Sequence, residues 1–132
     1  QDLVDAGYRG PIADVVEARA KDARVAGMGG IVCAATEATK MRAILGDELV
    51  IVTPGIRPAG SDAGDQRRVM TPADAIQAGS DYLVVGRPIS RAEDPGAAAD
   101  AVVAEIEEAL NLPPLVDNTG NRKAASFGNF SI

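Results

Sequence analysis

The sequence predicts an α/β fold with a parallel sheet, because three short apolar runs alternate with segments of helical spacing. The runs are continuous, rich in β-branched residues and four or five residues long, at positions 30–34, 49–52 and 82–85. Continuous apolar strands of this kind are typical of parallel sheets that are covered on both faces. Strands that alternate with helices indicate right-handed βα crossovers.

Start and stop signals predict four helices around these strands. Residues 11–26 and 36–45 each end before a glycine, which is a frequent helix terminator. The sequence TPAD at 71–74 starts the third helix, since Thr71 can cap its free N–H groups, and that helix ends at Gly79. Asp94-Pro95 starts the fourth, whose predicted apolar stripe consists of Ala99, Val102, Val103, Ile106, Ala109 and Leu110.

The composition excludes several classes of function. The chain has 132 residues, 46% of them hydrophobic and 24% charged, as expected for one small folded domain. A net charge of −6 argues against nucleic-acid binding, and the apolar runs are too short to span a membrane. The absence of histidine excludes Ser-His-Asp and Cys-His nucleophiles and His-ligated metals. Cys33 is the single cysteine, so no intrachain disulfide can form and a reducing cytoplasm fits.

A long loop follows the second predicted strand. Residues 53–68 read TPGIRPAGSDAGDQRR, whereas a connector usually has about 2–6 residues. Gly55, Gly60 and Gly64 permit positive φ angles and a close approach of the backbone to a ligand. Ligands of parallel α/β sheets bind at the carboxyl ends of the strands, where this loop begins.

Four residues at these strand ends form a candidate anion site. Arg57 and Arg87 carry permanently charged forks that suit phosphate oxygens. Gly86 lets backbone N–H groups approach an anion, and the helix after it adds a favourable dipole. Gln66 can donate an amide hydrogen bond. The sequence therefore predicts a phosphate site built from these residues.

Each of these residues also has a simpler interpretation. Arg57 could be a solvated loop charge, whereas a position directly after a strand and a glycine favours a ligand role for Arg87. Arg67 and Arg68 are interpreted as surface residues or as partners of the loop aspartates, which are too few to indicate a metal site. Cys33 is interpreted as a small core residue rather than a nucleophile.

The segments GIVCAATEA (30–38) and LVIVTPGIRPAGSDAGDQRRVMTPADAIQAGSDYLVVGRPI (49–89) closely resemble the C-terminal half of the orotidine 5′-phosphate decarboxylases. The resemblance covers residues 2–110 and implies the last three strands of a dimeric (β/α)8 barrel. It implies conversion of orotidine 5′-monophosphate to UMP and CO2, without a metal or organic cofactor, and a loop that closes over the nucleotide. By similarity the substrate contacts are Arg57, Gln66, Gly86 and Arg87, with Gln66 and Arg87 near the phosphate.

The sequence departs from that family in its chemical machinery. The family's Asp-x-Lys-x-x-Asp cluster is absent, so no catalytic residue is expected in this chain, and its first five strands have no counterpart. We expect residues 1–110 to form an incomplete barrel and residues 111–132 a flexible or extended tail. The expected partner is the missing N-terminal half or another copy, because three strands cannot close a barrel. A non-catalytic phosphate-binding module, a self-assembling half-barrel and another phosphate-binding barrel enzyme are the alternatives.

Overall fold

A three-stranded parallel sheet organises the chain in the computed structural model, which describes residues 7, 9–60 and 70–111. The strands lie in the order β1-β2-β3, and helices connect them along the sequence. This confirms the predicted α/β class with parallel βα units. The elements are α1 (Ile12–Val25), β1 (Gly30–Val32), α2 (Ala35–Leu45), β2 (Val50–Thr53), α3 (Pro72–Gln77), β3 (Tyr82–Leu83), α4 (Arg87–Ser90) and α5 (Pro95–Asn111).

The two faces of the sheet differ in what covers them. Val32, Val52 and Tyr82 occupy one cross-strand row, so their side chains share a face. In that row Val32 is 70% exposed and Tyr82 is 51% exposed. Ile51 is fully buried on the opposite face. Within the described part of the chain, therefore, the expectation of a sheet covered on both faces is met on one face only.

Helix α1, helix α2 and the sheet enclose an aliphatic core on the covered face. Its buried members are Ala20, Ala38, Met41, Leu45, Leu49, Ile51 and Ala78. A second buried cluster, Ala35, Ile56 and Ala75, lies where α2 and α3 begin and the loop leaves β2. This second group, which we call the Ile56 cluster, is close to the carboxyl ends of the strands.

Arg42 of α2 connects the segments that lead into β2 and β3. Its guanidinium donates to the carbonyl oxygens of Gly46 at 2.9 Å, Leu49 at 2.8 Å and Gly79 at 2.8 and 3.3 Å. It also pairs with a carboxylate oxygen of Asp81 at 2.5 Å, and that same oxygen accepts from the backbone N–H of Ile51 at 2.8 Å. One side chain therefore holds the amino ends of two strands together, opposite the end that carries the candidate site.

The predicted helix boundaries agree with the structure in most places. Thr71 caps α3 through a capping box with Asp74, in which each side chain accepts from the other residue's N–H. In α5 the buried face is narrower than the apolar stripe, because Val103 is 51% exposed and Leu110 is 41% exposed. Helix α5 packs on α3, and its buried residues are Val102 and Ala109.

Two further sequence-based expectations concern the C-terminal tail and membrane-spanning segments. Helix α5 ends at Asn111, and the predicted tail lies otherwise outside the described residues. No helix in the described ranges has the length and apolar character needed to cross a membrane.

Candidate functional site

The loop after β2 is closed at its base by a backbone contact. Ile56 and Met70 form an isolated parallel bridge, in which the N–H of Arg57 donates to the carbonyl of Met70 at 3.1 Å. Ile56 is 2% exposed and is the centre of its buried cluster, so an apolar side chain anchors this contact. The two ends of the loop are therefore adjacent, and the bridge that joins them is part of the buried core.

Arg57 leaves this closed base as a buried side chain. Its exposed fraction is 9%, so the alternative that it is a solvated loop charge is wrong. Gly55 has φ 75° and Gly60 has φ 77°, which confirms the left-handed backbone expected at these two glycines. The other loop candidates, Gly64 and Gln66, lie outside the described residues, as do Asp62, Asp65, Arg67 and Arg68.

The segment after β3 contacts the same apolar cluster as the loop. Leu83 and Val85 pack against the Ile56 cluster, and Gly86 and Arg87 follow directly. The structure thus brings the backbones that carry Arg57 and Arg87 to one cluster at the carboxyl edge of the sheet. Arg87 is half-buried.

Gly86 faces open space. The residue is exposed, and a Cβ atom built on it would meet no atom within 4 Å. Its carbonyl accepts from the N–H groups of Ile89 and Ser90, both at 3.0 Å, which closes the single turn of α4. The expected helix dipole after Gly86 is therefore that of a four-residue helix, and the arginine charge is the larger electrostatic contribution.

A second contact holds the loop from the side of the last helix. The N–H of Ala59 donates to Oε1 of Glu105 at 3.0 Å. The sequence contains no sign of this contact, because the two residues are 46 positions apart and Glu105 lies among other acidic residues of α5. The contacts of Arg42 with Gly79 and Asp81 at the opposite edge also join distant positions and were missed for that reason.

The remaining candidates behave as structural residues. Burial raises the pKa of the Cys33 thiol, and the negative charge of Glu37 raises it further, which disfavours the nucleophilic thiolate. Lys40 pairs with Glu17 at 3.0 Å, a contact between α1 and α2. Among the described residues, no three acidic, cysteine or histidine side chains group closely enough to hold a metal ion.

Comparison with known proteins agrees with this architecture. The family model described as orotidine 5′-phosphate decarboxylase / HUMPS family matches residues 1–102. An orotidine 5′-phosphate decarboxylase of Rhodopseudomonas palustris (strain ATCC BAA-98 / CGA009) is 61% identical over 109 residues, which are 83% of this chain and 46% of that protein. The corresponding protein of Methylobacterium sp. (strain 4-46) is 62% identical over 108 residues, 82% of this chain and 46% of its own length.

Solved structures of orotidine 5′-phosphate decarboxylases also match the chain, at lower sequence identity. Orotidine 5′-phosphate decarboxylase from Lactobacillus acidophilus superposes with a TM-score of 0.68 at 38% identity, covering 80% of this chain and 43% of that one. The enzyme from Pyrococcus horikoshii OT3 gives 0.59 at 28% identity, covering 73% and 43%. The chain thus spans just under half the length of the relatives it matches. Since the family model matches most of its residues, the chain belongs to the orotidine 5′-phosphate decarboxylase / HUMPS family.

Proposed function

We propose that this chain is the phosphate-binding part of an orotidine 5′-phosphate decarboxylase, an enzyme of pyrimidine biosynthesis that forms UMP and CO2. The observation that supports this most strongly is the pair of arginines at neighbouring strand ends. Arg57 is buried at the closed base of the loop. Arg87 comes shortly after Leu83 and Val85, which pack against the same Ile56 cluster. Two permanently charged forks in this position suit an anionic ligand.

Each candidate residue has a part in this proposal. Gln66 and Arg87 contact the phosphate, and Arg57 and Gly86 contact the nucleotide beside it. The loop at 53–68 closes over the ligand. Phosphate contacts far from the reacting carbon then supply binding energy that holds the ring in its reactive position.

The chemical step needs residues that this chain does not carry. Decarboxylation breaks the bond between the ring carbon and the carboxylate, CO2 leaves, and the electron pair on the carbon takes a proton. The family's Asp-x-Lys-x-x-Asp cluster, whose lysine delivers that proton, is absent from the sequence. The chain alone is therefore expected to bind the nucleotide without converting it, and the proposal includes no metal or organic cofactor.

The exposed sheet face supports completion by the remainder of a barrel. Residues 1–110 correspond in this proposal to the last three barrel strands, and 111–132 are a separate tail. The exposed row that contains Val32 and Tyr82 is apolar, and both edge strands lack a further partner among the described residues. Because relatives are about twice as long, their remaining part is a better occupant of this face than a second copy. The lone cysteine fits a reducing cytoplasm.

Calorimetry with UMP tests the binding site. We expect Arg87→Ala to weaken UMP binding by roughly 10- to 100-fold, because a charge-assisted contact to phosphate is lost. Arg91→Ala is the matched control: Arg91 is exposed, one turn further along, and its loss is expected to leave the affinity unchanged. Equal affinities of the wild type and Arg87→Ala for UMP would reject the site.

Complementation tests the enzymatic part of the proposal. The chain is mixed with the N-terminal part of the Rhodopseudomonas palustris relative, and loss of the orotate chromophore is followed. We expect turnover in the mixture and none in either component, together with a one-to-one complex by light scattering. Binding of UMP without turnover in any mixture would favour the non-catalytic alternative, and self-association that the N-terminal part cannot displace would favour the self-assembling half-barrel.

A further inference from the structure

One side chain of helix α5, that of Glu105, contacts the loop after β2. Oε1 of Glu105 accepts the N–H of Ala59 at 3.0 Å. Ala59 lies two residues after the buried Arg57 and directly before Gly60, whose φ of 77° turns the backbone. The contact therefore holds the end of the stretch 57–59, which we call the loop stem. The bond to Met70 holds the beginning of the same stretch.

The packing of α5 determines where Glu105 lies. Val102 and Ala109 are buried at 5% and 4% exposure, and α5 packs against α3. Glu105 is three residues after the first and four before the second, so it shares their side of the helix. It is half-buried, whereas the neighbouring Glu107 and Glu108 are exposed.

The two contacts fix the stem on both sides of Arg57. On one side the N–H of Arg57 itself donates to Met70 at 3.1 Å, and on the other the N–H of Ala59 donates to Glu105. A bond from a backbone N–H to a carboxylate is charge-assisted and stronger than one to a neutral acceptor. The stretch from Arg57 to Ala59 is therefore held by a hydrogen bond at each end.

We propose that Glu105 is a positioning residue for the anion site, acting through Ala59 on the direction of Arg57. The inference rests on the proposed function, since it concerns the same ligand. Glu105 carries a negative charge, so it would repel a phosphate if it touched one. Its contribution comes through the order it gives to the loop stem before the nucleotide arrives.

The experiment compares three variants of the full 132-residue chain. Glu105→Ala removes the acceptor, Glu105→Gln keeps an oxygen acceptor but removes the charge, and Glu108→Ala makes the same truncation at an exposed site of the same helix. We expect Glu105→Ala to weaken UMP binding roughly 5- to 10-fold by calorimetry. Glu105→Gln should recover most of that loss, and Glu108→Ala should bind UMP as the wild type does.

Amide hydrogen exchange provides the readout that a change in global stability would not produce. Loss of the acceptor should speed exchange at Ala59 about tenfold, while amides in β2 keep wild-type rates. Equal UMP affinity of the wild type and Glu105→Ala, or unchanged exchange at Ala59, overturns the role of Glu105 alone. A wild-type chain with no measurable UMP affinity rejects the proposed function instead, and the ligand role of Glu105 with it.

Discussion

Replacing Arg42 should cost much more stability than replacing an exposed arginine of the same chain. Its side chain is 15% exposed, and it donates to three backbone carbonyls and to Asp81. Asp81 is 37% exposed, so the pair is partly buried, and breaking it together with the carbonyl contacts costs about 2–4 kcal/mol, since the acceptors lose their partners. Total stabilities of single domains are about 5–15 kcal/mol, so Arg42→Ala would lose a large share of the free energy of unfolding.

A second variant tests the geometry of these contacts. Arg42→Lys keeps the charge, but a single ammonium cannot span the carbonyls of Leu49 and Gly79 as the planar guanidinium does. We expect a loss of about 1.5–3 kcal/mol, between the wild type and Arg42→Ala. This variant also keeps the reasoning testable if Arg42→Ala does not fold.

The assay is urea unfolding followed by far-UV circular dichroism, since the chain contains no tryptophan. Arg24→Ala is the control: Arg24 also donates to a carbonyl, that of Ile44 at 3.1 Å, but it is exposed and has one such bond in the structure. Its loss should cost about 0.5 kcal/mol with an unchanged slope. If Arg42→Ala and Arg24→Ala unfold at the same urea concentration, the explanation given for Arg42 is wrong.

Two further predictions concern strand packing and pH. Gly30→Ala should destabilise the chain by about 1–3 kcal/mol in the same urea assay, because the added Cβ would lie 2.3 Å from the backbone oxygen of Val50. Gly29→Ala is the control, since its Cβ would meet no atom within 4 Å and the substitution should cost much less. Equal losses of stability in the two variants would contradict this prediction. The pKa of Glu17 is lowered, first by its hydrogen bond to Lys21 at 2.6 Å and then by the second lysine partner on α2. A lowered folded pKa gives stability above the ordinary value of 4.5 that is lost as the pH falls through the folded value, so wild type and Glu17→Gln should differ in unfolding midpoint at neutral pH and converge in acid. A difference that persists unchanged at the lowest pH would refute it.

The sequence was a good guide to local structure because the signals for local structure are themselves local. The apolar runs, the capping box at Thr71 and the helix-ending glycines all lie within a few residues of the elements they define. The sequence did not predict where the helix Arg87–Ser90 begins and ends, because a single turn is too short to show helical periodicity. Val103 and Leu110 belong to the apolar stripe of α5 and are nevertheless exposed, because periodicity identifies an apolar face of a helix but not the width of its contact.

The segments that carry the two candidate arginines were predictable from the sequence, whereas their ligand role stays a prediction and the contacts that support them were not predicted. Arg57 and Arg87 were identified from their positions after strands, and the structure places both segments at one cluster. The contacts of Arg42 with Gly79 and of Glu105 with Ala59 were not foreseen, because each joins residues more than thirty positions apart through a charged side chain on a helix. A sequence pattern cannot distinguish such a side chain from a solvated one, whose helical spacing is the same.

The bridge between Ile56 and Met70 separates the sheet from changes in the length of the loop. Residues that close the bridge are part of the apolar interior, so their replacement disturbs packing. The bond from the N–H of Arg57 to Met70 closes a ring of the backbone, and lengthening such a ring changes its closure entropy only slowly. A change in the length of this stretch should therefore leave the stability of the sheet that carries it nearly unchanged.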